Sequence, residues 1–205
     1  MREDVRDLER VGDLDKLELL FERLADSVGS LLSVNALRED LEVAFDTVRA
    51  WLRVFQRLYA AFTIAPFGPP RIKAVKKSQN LYLWDFARVE SAGARVENLV
   101  LWHLLRLVHW LEDAHGIPAE LRFFRSRMGH EVDAVILRKR RPWMAVEVKS
   151  SDEGLDRGLR YLVERVAIPH VFQVAIHGKN HRFLPDVGAH GVHLLPVSRL
   201  LANLP

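Results

Sequence analysis

Residues 131–149 read EVDAVILRKRRPWMAVEVK, and this stretch decides both the fold of the chain and the place of its chemistry. Two runs rich in Val and Ile, 131–137 and 143–149, flank a basic segment that contains a proline. Such runs are typical of β-strands, and the segment between them is typical of a turn. Besides Glu131 at the first position, the runs carry three charged residues: Asp133, Glu147 and Lys149. Because charged side chains in buried strands must be paired or bind a metal, the stretch predicts a β-hairpin with a functional site.

A hairpin centred on Arg140 brings these charges to one place. Asp133 then lies opposite Glu147, and Glu131 lies opposite Lys149, with facing Cβ atoms roughly 4.5–5.5 Å apart. Side chains alternate between faces, so Asp133, Glu147 and Lys149 share one face and the Val and Ile side chains fill the other. Two facing carboxylates repel, and a divalent cation between them would remove that conflict. The spacing therefore predicts a metal site, where Lys149 would position a water or neutralise charge on a phosphoryl group.

The same residues also allow a structural interpretation. Lys149 opposite Glu131 would form a cross-strand ion pair without any metal. Asp133 would in that case bond Arg125 or Arg127 on the preceding strand. Both interpretations stay open from the spacing alone.

Composition bounds the class of protein. The chain has 205 residues, of which 49% are hydrophobic and 28% charged, so it can build the core of one or two small domains. It has no cysteine, which excludes disulfides, zinc–thiolate sites and a cysteine nucleophile. The N-terminal residues are too charged for a secretory signal, and the most apolar run, 99–111, is interrupted by charged and polar residues. We expect a soluble cytoplasmic protein that does not enter membranes.

The N-terminal part predicts a helix-turn-helix. A helix over 15–27, a short helix from Ser33 or Asn35 to about Glu42, and a helix capped by Asp46 and running to about Tyr59 follow one another. On the last helix three arginines recur at intervals of four and lie on one face: Arg49, Arg53 and Arg57. They are candidates for contacts to DNA phosphates or base edges, although a solvated face with salt bridges fits the pattern equally.

A β-hairpin "wing" is expected to follow this helix. Apolar runs near 62–65 and 81–84 flank a basic segment, and the charge of the chain, +3 with a pI near 9.4, permits nucleic-acid binding. The candidate contacts to backbone phosphates in this segment are Arg71, Lys73, Lys76 and Lys77. A charged tip that keeps the hairpin soluble is the alternative interpretation.

The C-terminal part predicts the order helix, three strands, helix, strand. The helices are expected at 94–114 and 155–166, and the strands at 119–126, 131–137, 143–149 and 170–176, followed by a weaker strand at 192–195 and a short helix at 197–201. The chain lacks the G-x-x-x-x-G-K-[ST] loop, so we expect no ATP site of that kind.

Three other patterns favour structural roles. His177 with His181, and His190 with His193, have metal-ligand spacing, but surface histidines are the favoured interpretation. The five tryptophans lie in apolar patterns and are expected in the core. The basic run 138–141 is typical of a solvated turn, although beside a metal site it would grip a phosphate backbone.

Asp133 together with Glu147-Val148-Lys149 resembles the PD-(D/E)XK restriction-endonuclease-like superfamily. That motif has an acidic residue on one strand and (D/E)-x-K on the next, within an αβββαβ core. The superfamily often adds a glutamate from the first core helix, and Glu97 fits that place. The proline that precedes the acidic residue in the motif is replaced here by Val132. The resemblance implies Mg²⁺ or Mn²⁺ held by Asp133, Glu147, Glu97 and the Val148 carbonyl.

A closer resemblance covers nearly the whole chain. Five segments carry it: REDVRDLERVGDLDKLELL (2–20), NALREDLEVAFDTVRAWL (35–52), KSQNLYLWD (77–85), ENLVLWHLLR (97–106) and HEVDAVI with AVEVKSS (130–136, 145–151). They look like the C-terminal half of bacterial and archaeal AAA-type ATP-binding proteins, in which a winged helix and a nuclease-like domain of unknown function follow an ATPase module. The resemblance implies that 1–14 is an exposed lead-in from that module, 15–88 a winged helix-turn-helix and 89–205 the nuclease-like domain.

Together these features predict an α/β protein that is a metal-dependent DNA endonuclease with a winged-helix DNA-binding domain. Asp133, Glu147, Lys149 and Glu97 would be its catalytic residues. DNA is the expected partner, and a separate ATPase and a second copy of the chain are further candidates. The alternative is a non-catalytic DNA-binding or protein-interaction module that keeps the nuclease fold as a scaffold.

Overall fold

The chain divides into two compact units in a computed structural model that describes residues 13–68, 79–151 and 154–205. Within these ranges the first unit comprises 13–63 and 79–98, and the second comprises 64–68, 99–151 and 154–205. The fold is a mixed α/β fold with one eight-stranded sheet. Among the residues that the structure describes, no helix combines the length and the hydropathy that a membrane span needs.

Three helices open the first unit: α1 (Leu14–Asp26), α2 (Val34–Asp40) and α3 (Phe45–Arg57). The side chains of Asp13 and Ser33 accept hydrogen bonds from the first turns of α1 and α2, as N-caps do. The cap predicted at Asp46 is wrong, because α3 begins one residue earlier and its N-cap is Ala44, which makes no side-chain cap bond. The apolar pattern of α3 predicts that Val48, Trp51, Leu52, Phe55 and Leu58 are buried, and the first four are, together with Val54. Leu58 is 52% exposed, so its predicted place in the core is wrong.

The first unit continues with β1 (Ala61–Pro66), which ends in the second unit, then β2 (Asn80–Leu83), a 3₁₀ turn (Phe86–Arg88) and the start of α4 (Ala92–His115). Every residue of β2 is buried. Asn98 of α4 is buried too, and its side-chain amide donates to the Leu83 carbonyl and accepts from the Leu83 N–H, at 2.7 and 2.8 Å. This pairing satisfies the amide side chain and ties the helix to the strand.

The second unit holds the remaining elements: β3 (Ala119–Arg125), β4 (Glu131–Arg138), β5 (Arg141–Lys149), α5 (Arg157–Val163), β6 (His170–Ala175), β7 (Arg182–Leu184), β8 (Val192–Pro196) and α6 (Val197–Leu201). The strand order of the sheet is β2-β1-β3-β4-β5-β6-β8-β7. β3, β4 and β5 form an antiparallel meander, whereas β5, β6 and β8 run parallel to one another. The sequence did not predict β7, and α5 is shorter at both ends than the expected 155–166.

The register of the β4–β5 hairpin agrees with the predicted one in its middle. Ala134, Val135 and Ile136 lie opposite Val146, Ala145 and Met144. Towards the turn a bulge shifts the register, so that Leu137 lies opposite Pro142 and not opposite Trp143. The turn is accordingly shorter than predicted, and Arg141 and Pro142 belong to β5.

Both faces of the hairpin are buried, whereas the sequence predicted one core face. Val135 and Ala145 pack with Leu159 and Leu162 of α5 in one apolar cluster. Ile136, one position further and so on the other face, is also fully buried. Among the tryptophans, Trp110 is 43% exposed, so its predicted place in the core is wrong.

Candidate functional site

At the end of the β4–β5 hairpin away from the turn, which we call the open end, two side-chain carboxylates take the place of backbone carbonyls as hydrogen-bond acceptors. The ladder between the strands runs as far as Ala134 and Val146. One step further, the Asp133 N–H donates to Glu147 Oε2 at 3.1 Å, and the Val148 N–H donates to Asp133 Oδ2 at 2.8 Å. Each carboxylate thus takes a position that a carbonyl occupies in a regular antiparallel pair. The arrangement places Asp133 and Glu147 side by side, as the sequence predicted.

Lys149 joins this pair through its ammonium group. Its Nζ lies 2.7 Å from Glu147 Oε1 and 2.9 Å from Asp156 Oδ2. Glu131 pairs with Arg125 instead, at 3.0 Å, so the alternative Glu131–Lys149 pair is not the one that forms. The lysine therefore bridges the hairpin and the residue that precedes α5.

Asp156 belongs to this charged cluster, although the sequence did not predict it there. Its Oδ1 caps α5 by accepting from the Gly158 and Leu159 N–H groups at 2.7 and 3.0 Å, which leaves Oδ2 for Lys149. Its own N–H donates to Gln173 Oε1 at 2.7 Å, and Gln173 Nε2 donates to the Gly154 carbonyl at 2.6 Å. An aspartate before a helix is a recognisable cap signal, but nothing in the local sequence links it to Lys149.

Gly158 explains why α5 comes so close to the hairpin. A Cβ atom at this position would lie 2.0 Å from the carbonyl oxygen of Glu131 and 2.7 Å from its nitrogen. The helix therefore rests directly on the backbone of β4, with no space for a side chain. This contact holds the cap residue Asp156 within reach of Lys149.

Charge and burial shift the ionisation of all three partners of the lysine bridge. Burial, with the neighbouring Asp133 carboxylate, raises the pKa of Glu147 to about 9 against the opposing effect of Lys149. Burial alone would lower the pKa of Lys149, but Glu147 and Asp156 outweigh it and hold that pKa above its ordinary value. At Asp156 burial acts to raise the pKa, but the contact with Lys149 and the hydrogen bonds from the α5 amides outweigh it. The pKa of Asp156 is therefore lowered. The lysine is therefore a fixed cation beside a crowded pair of carboxylates.

A cation at this point would receive two carboxylates from the protein. In the ranges that the structure describes, no group of three or more His, Asp or Glu side chains is arranged to hold a metal. Asp133 and Glu147 have further oxygen lone pairs beyond the bonds above, since each carboxylate oxygen can accept more than once. A cavity of about 530 Å³ opens beside Lys149 and Asp156 and is also lined by Ser150, Ser151 and Arg157.

Glu97 lies in the first unit, where it has a clear structural role. Its Oε1 accepts a hydrogen bond from the Tyr82 hydroxyl at 2.9 Å. Its carboxylate also fills the space beside Gly29, where an added Cβ atom would meet Oε2 at 2.9 Å. These contacts place the carboxylate against β2 and the end of α1.

The candidate DNA-contacting residues fall into two groups. Arg49, Arg53 and Arg57 are all exposed on α3, and Arg49 lies 3.9 Å from Asp46 of the same helix. The wing residues lie outside the described residues: Arg71, Lys73, Lys76 and Lys77. The sequence paired His177 with His181 and His190 with His193. In the structure His181 lies next to His193, with 2.9 Å between His181 Nε2 and His193 Nδ1.

Both parts of the chain match family models that carry no assigned role. Residues 1–92 match a family model described as Domain of unknown function (DUF8612), and residues 92–200 match one described as Domain of unknown function (DUF4143). The latter domain is typically associated with the C-terminal regions of AAA-ATPases. No curated protein and no solved structure matches the chain. Because the second match spans more than half of the 205 residues, the chain belongs to the DUF4143 family.

Proposed function

We propose that this chain is a divalent-cation-dependent DNA phosphodiesterase whose second unit carries the active site. The observation that carries the proposal is the pair of carboxylates, Asp133 and Glu147, set side by side where two strands stop pairing, with Lys149 fixed next to them. The order α4-β3-β4-β5-α5-β6 supports a restriction-endonuclease-like fold, since it has the αβββαβ order of that superfamily. The three helices followed by β1 and β2 support a winged helix in the first unit.

The residues present fit Mg²⁺ or Mn²⁺. Burial, together with the neighbouring Asp133 carboxylate, raises the pKa of Glu147, and a divalent cation would relieve the repulsion between the two carboxylates. Mg²⁺ is commonly held by one or two carboxylates, with waters and substrate phosphates completing its shell, so a third acidic side chain is not required. Asp133, Glu147 and the Val148 carbonyl would hold the ion. When bound, it supplies a Lewis acid that activates water and stabilises negative charge on a phosphoryl group.

Lys149 acts in this scheme as a charge and not as a base. Its two carboxylate partners hold its pKa above the ordinary value, so the side chain keeps its proton at neutral pH. A fixed ammonium next to the carboxylates can bind a non-bridging phosphate oxygen and stabilise the charge that develops there. Asp156 is a positioning residue in this scheme, because it bonds the ammonium and caps α5 and is not among the residues proposed to hold the ion.

The first unit would supply DNA affinity through α3. Three exposed arginines at successive turns form a basic face on that helix, opposite its buried apolar stripe. In helix-turn-helix proteins the second helix lies in the major groove and its exposed side chains meet phosphates and base edges. Arg49, Arg53 and Arg57 are the corresponding residues here.

One observation favours the second candidate, a non-catalytic module. Lys149 already pairs with both Glu147 and Asp156, which neutralises much of the negative charge without a cation. In that case the cluster would serve only to join α5 to the hairpin. The two candidates differ in whether the site uses a bound divalent cation to cleave DNA.

Binding and cleavage should be measured on the same variants. Mn²⁺ binding followed by isothermal titration calorimetry should be seen with the wild-type chain and lost in Asp133→Asn and Glu147→Gln, while Glu120→Gln, on the adjacent strand, should bind as wild type does. Cleavage of plasmid and branched DNA in Mg²⁺ or Mn²⁺ should fall at least about 100-fold in the first two variants. Cation binding that survives both substitutions would sink the proposed site, and binding without cleavage of any DNA would favour the non-catalytic module.

A further inference from the structure

The turn of the β4–β5 hairpin holds two cationic residues in a backbone conformation that neither prefers. Arg138 pairs with Arg141, so Lys139 and Arg140 alone form the loop, and their φ angles are +51° and +64°. Positive φ at both positions is the mark of a type I′ turn, for which Asn-Gly and Gly-Gly are the preferred sequences. Side chains with a Cβ atom are strained in this region. The fold alone would therefore favour other residues here.

The positive charge of this turn is not neutralised within the described chain. Ion pairs join several other arginines to carboxylates, including Arg23, Arg88 and Arg125. No acidic side chain of the described residues forms such a pair with Arg138, Lys139, Arg140 or Arg141. The last three are exposed. Four adjacent cations, three of them exposed, thus have no acidic partner among the described residues.

The turn is also held rigidly and has a groove beside it. The Lys139 N–H donates to the Pro118 carbonyl at 2.8 Å, and the Arg138 guanidinium lies 5.6 Å from the centre of the Trp143 ring. A groove of about 530 Å³ lies against these groups and is also lined by Pro142 and Pro169. Preorganised cations lose little freedom on binding, which suits them to an anionic partner.

We propose that this turn, residues 138–141, is a docking surface for the phosphodiester backbone of nucleic acid, separate from the carboxylate site. Three of its four cations are arginines, whose planar guanidinium groups match phosphate oxygens. Six residues of extended strand separate Lys139 from Asp133, so the turn lies about 20 Å from the carboxylates, too far to share one phosphate with them. Its contacts need no metal and do not depend on cleavage at the carboxylate site.

Two double variants separate charge from strain. Lys139→Gln with Arg140→Gln removes two charges and keeps the strained turn. Lys139→Asn with Arg140→Gly removes the same charges and installs a preferred turn. Lys179→Gln with Arg182→Gln is the matched control, because both residues are exposed cations elsewhere in the second unit. Binding of the full chain to a labelled DNA duplex is followed by fluorescence anisotropy in EDTA, over a series of salt concentrations.

Both turn variants should weaken DNA binding by roughly 5- to 10-fold at low salt. The slope of log K against log salt should become about 2 less negative, since each phosphate contact contributes about 0.9. The Asn-Gly variant alone should also melt roughly 2–4 °C higher than the Gln-Gln variant. Turn variants that bind like the control would overturn the proposal. Turn-dependent binding of polyglutamate but not of DNA would overturn the nucleic-acid assignment and indicate an acidic protein. The carboxylate site can fail its own test without affecting these outcomes, because EDTA removes divalent cations throughout.

Discussion

The two ends of the β4–β5 hairpin treat charge in opposite ways. At the open end Glu147 is almost fully buried, and its carboxylate, with those of Asp133 and Asp156, is bonded to backbone amides or to Lys149. At the turn, residues 138–141 carry four cations that have no acidic partner among the described residues, and three of the four are exposed. The charges of Glu147, Asp133, Asp156 and Lys149 are thus bonded within the protein, and we call them the closed network. The charges of residues 138–141 have no acidic partner in the described chain. Removing one member of a buried charge network leaves the other members uncompensated and lowers the stability strongly. Exposed charges without partners can be replaced at little cost in stability.

The largest effect should come from separating α5 from the open end. Gly158→Ala puts a Cβ atom where the backbone of Glu131 lies, so the helix must move away and carry Asp156 off Lys149. We expect a loss of about 3 kcal/mol in the free energy of unfolding, measured in urea. Gly93→Ala in α4 is the control, since its nearest neighbour would lie at 4.0 Å. Equal stability of the two variants would show that α5 does not depend on this close contact.

Removing the lysine should leave the buried carboxylates uncompensated. Lys149→Met deletes the cation that bridges Glu147 and Asp156, and we expect a loss of about 2 kcal/mol at pH 9.5, where the Glu147 carboxylate of the wild type is mostly ionised. The loss should shrink towards pH 7, because Glu147, with a pKa of about 9, then carries a proton and does not depend on a cation beside it. Arg125→Met, which breaks the partly exposed pair with Glu131, should cost less than about 1 kcal/mol and give the baseline for an exposed pair. Equal costs for the two substitutions would show that burial adds nothing to the lysine bridge.

A smaller effect is expected from the residue that holds the lysine. Asp156→Ala removes an N-cap and one partner of Lys149, at a cost of about 1–1.5 kcal/mol, whereas Asp156→Asn keeps the cap and loses only the charge. Both variants should let the pKa of Lys149 fall, so that acylating reagents label it faster, as read by mass spectrometry. Asp85→Asn is the matched control, since Asp85 also caps a helix and pairs with an arginine at the surface. Unchanged labelling of Lys149 would show that Asp156 does not position it.

The local sequence pattern was enough to predict the open end of this hairpin but not its turn or its contact with α5. Alternating Val and charged residues predicted the register of Ala134–Ile136 and the pairing of Asp133 with Glu147, because both follow from side-chain periodicity. The bulge at Leu137 could not be predicted, since it depends on a two-residue turn that Lys139 and Arg140 do not favour. The contact between Asp156 and Lys149 escaped prediction because it depends on where α5 packs. That position is set by Gly158 against the backbone of β4, a long-range contact that leaves no local signal.

The smallest effect is expected in the pH dependence of stability, which reports the ionisation of Glu147 in the closed network. The folded pKa of Glu147 is raised to about 9 from an ordinary value of 4.5, so between these pH values the folded chain binds more protons than the unfolded one. Stability is then highest near the lower value and falls as pH rises towards the upper one. The melting temperature of the wild type should fall by a few degrees between pH 8 and pH 9, relative to Glu147→Gln, which lacks the titrating group. Added Mn²⁺ should reverse this difference, and more strongly at pH 9, because the ion competes with the proton for the carboxylates. Parallel melting profiles for the two proteins without Mn²⁺ would mean that Glu147 titrates as an ordinary carboxylate, and the open end would then differ from the turn in burial alone.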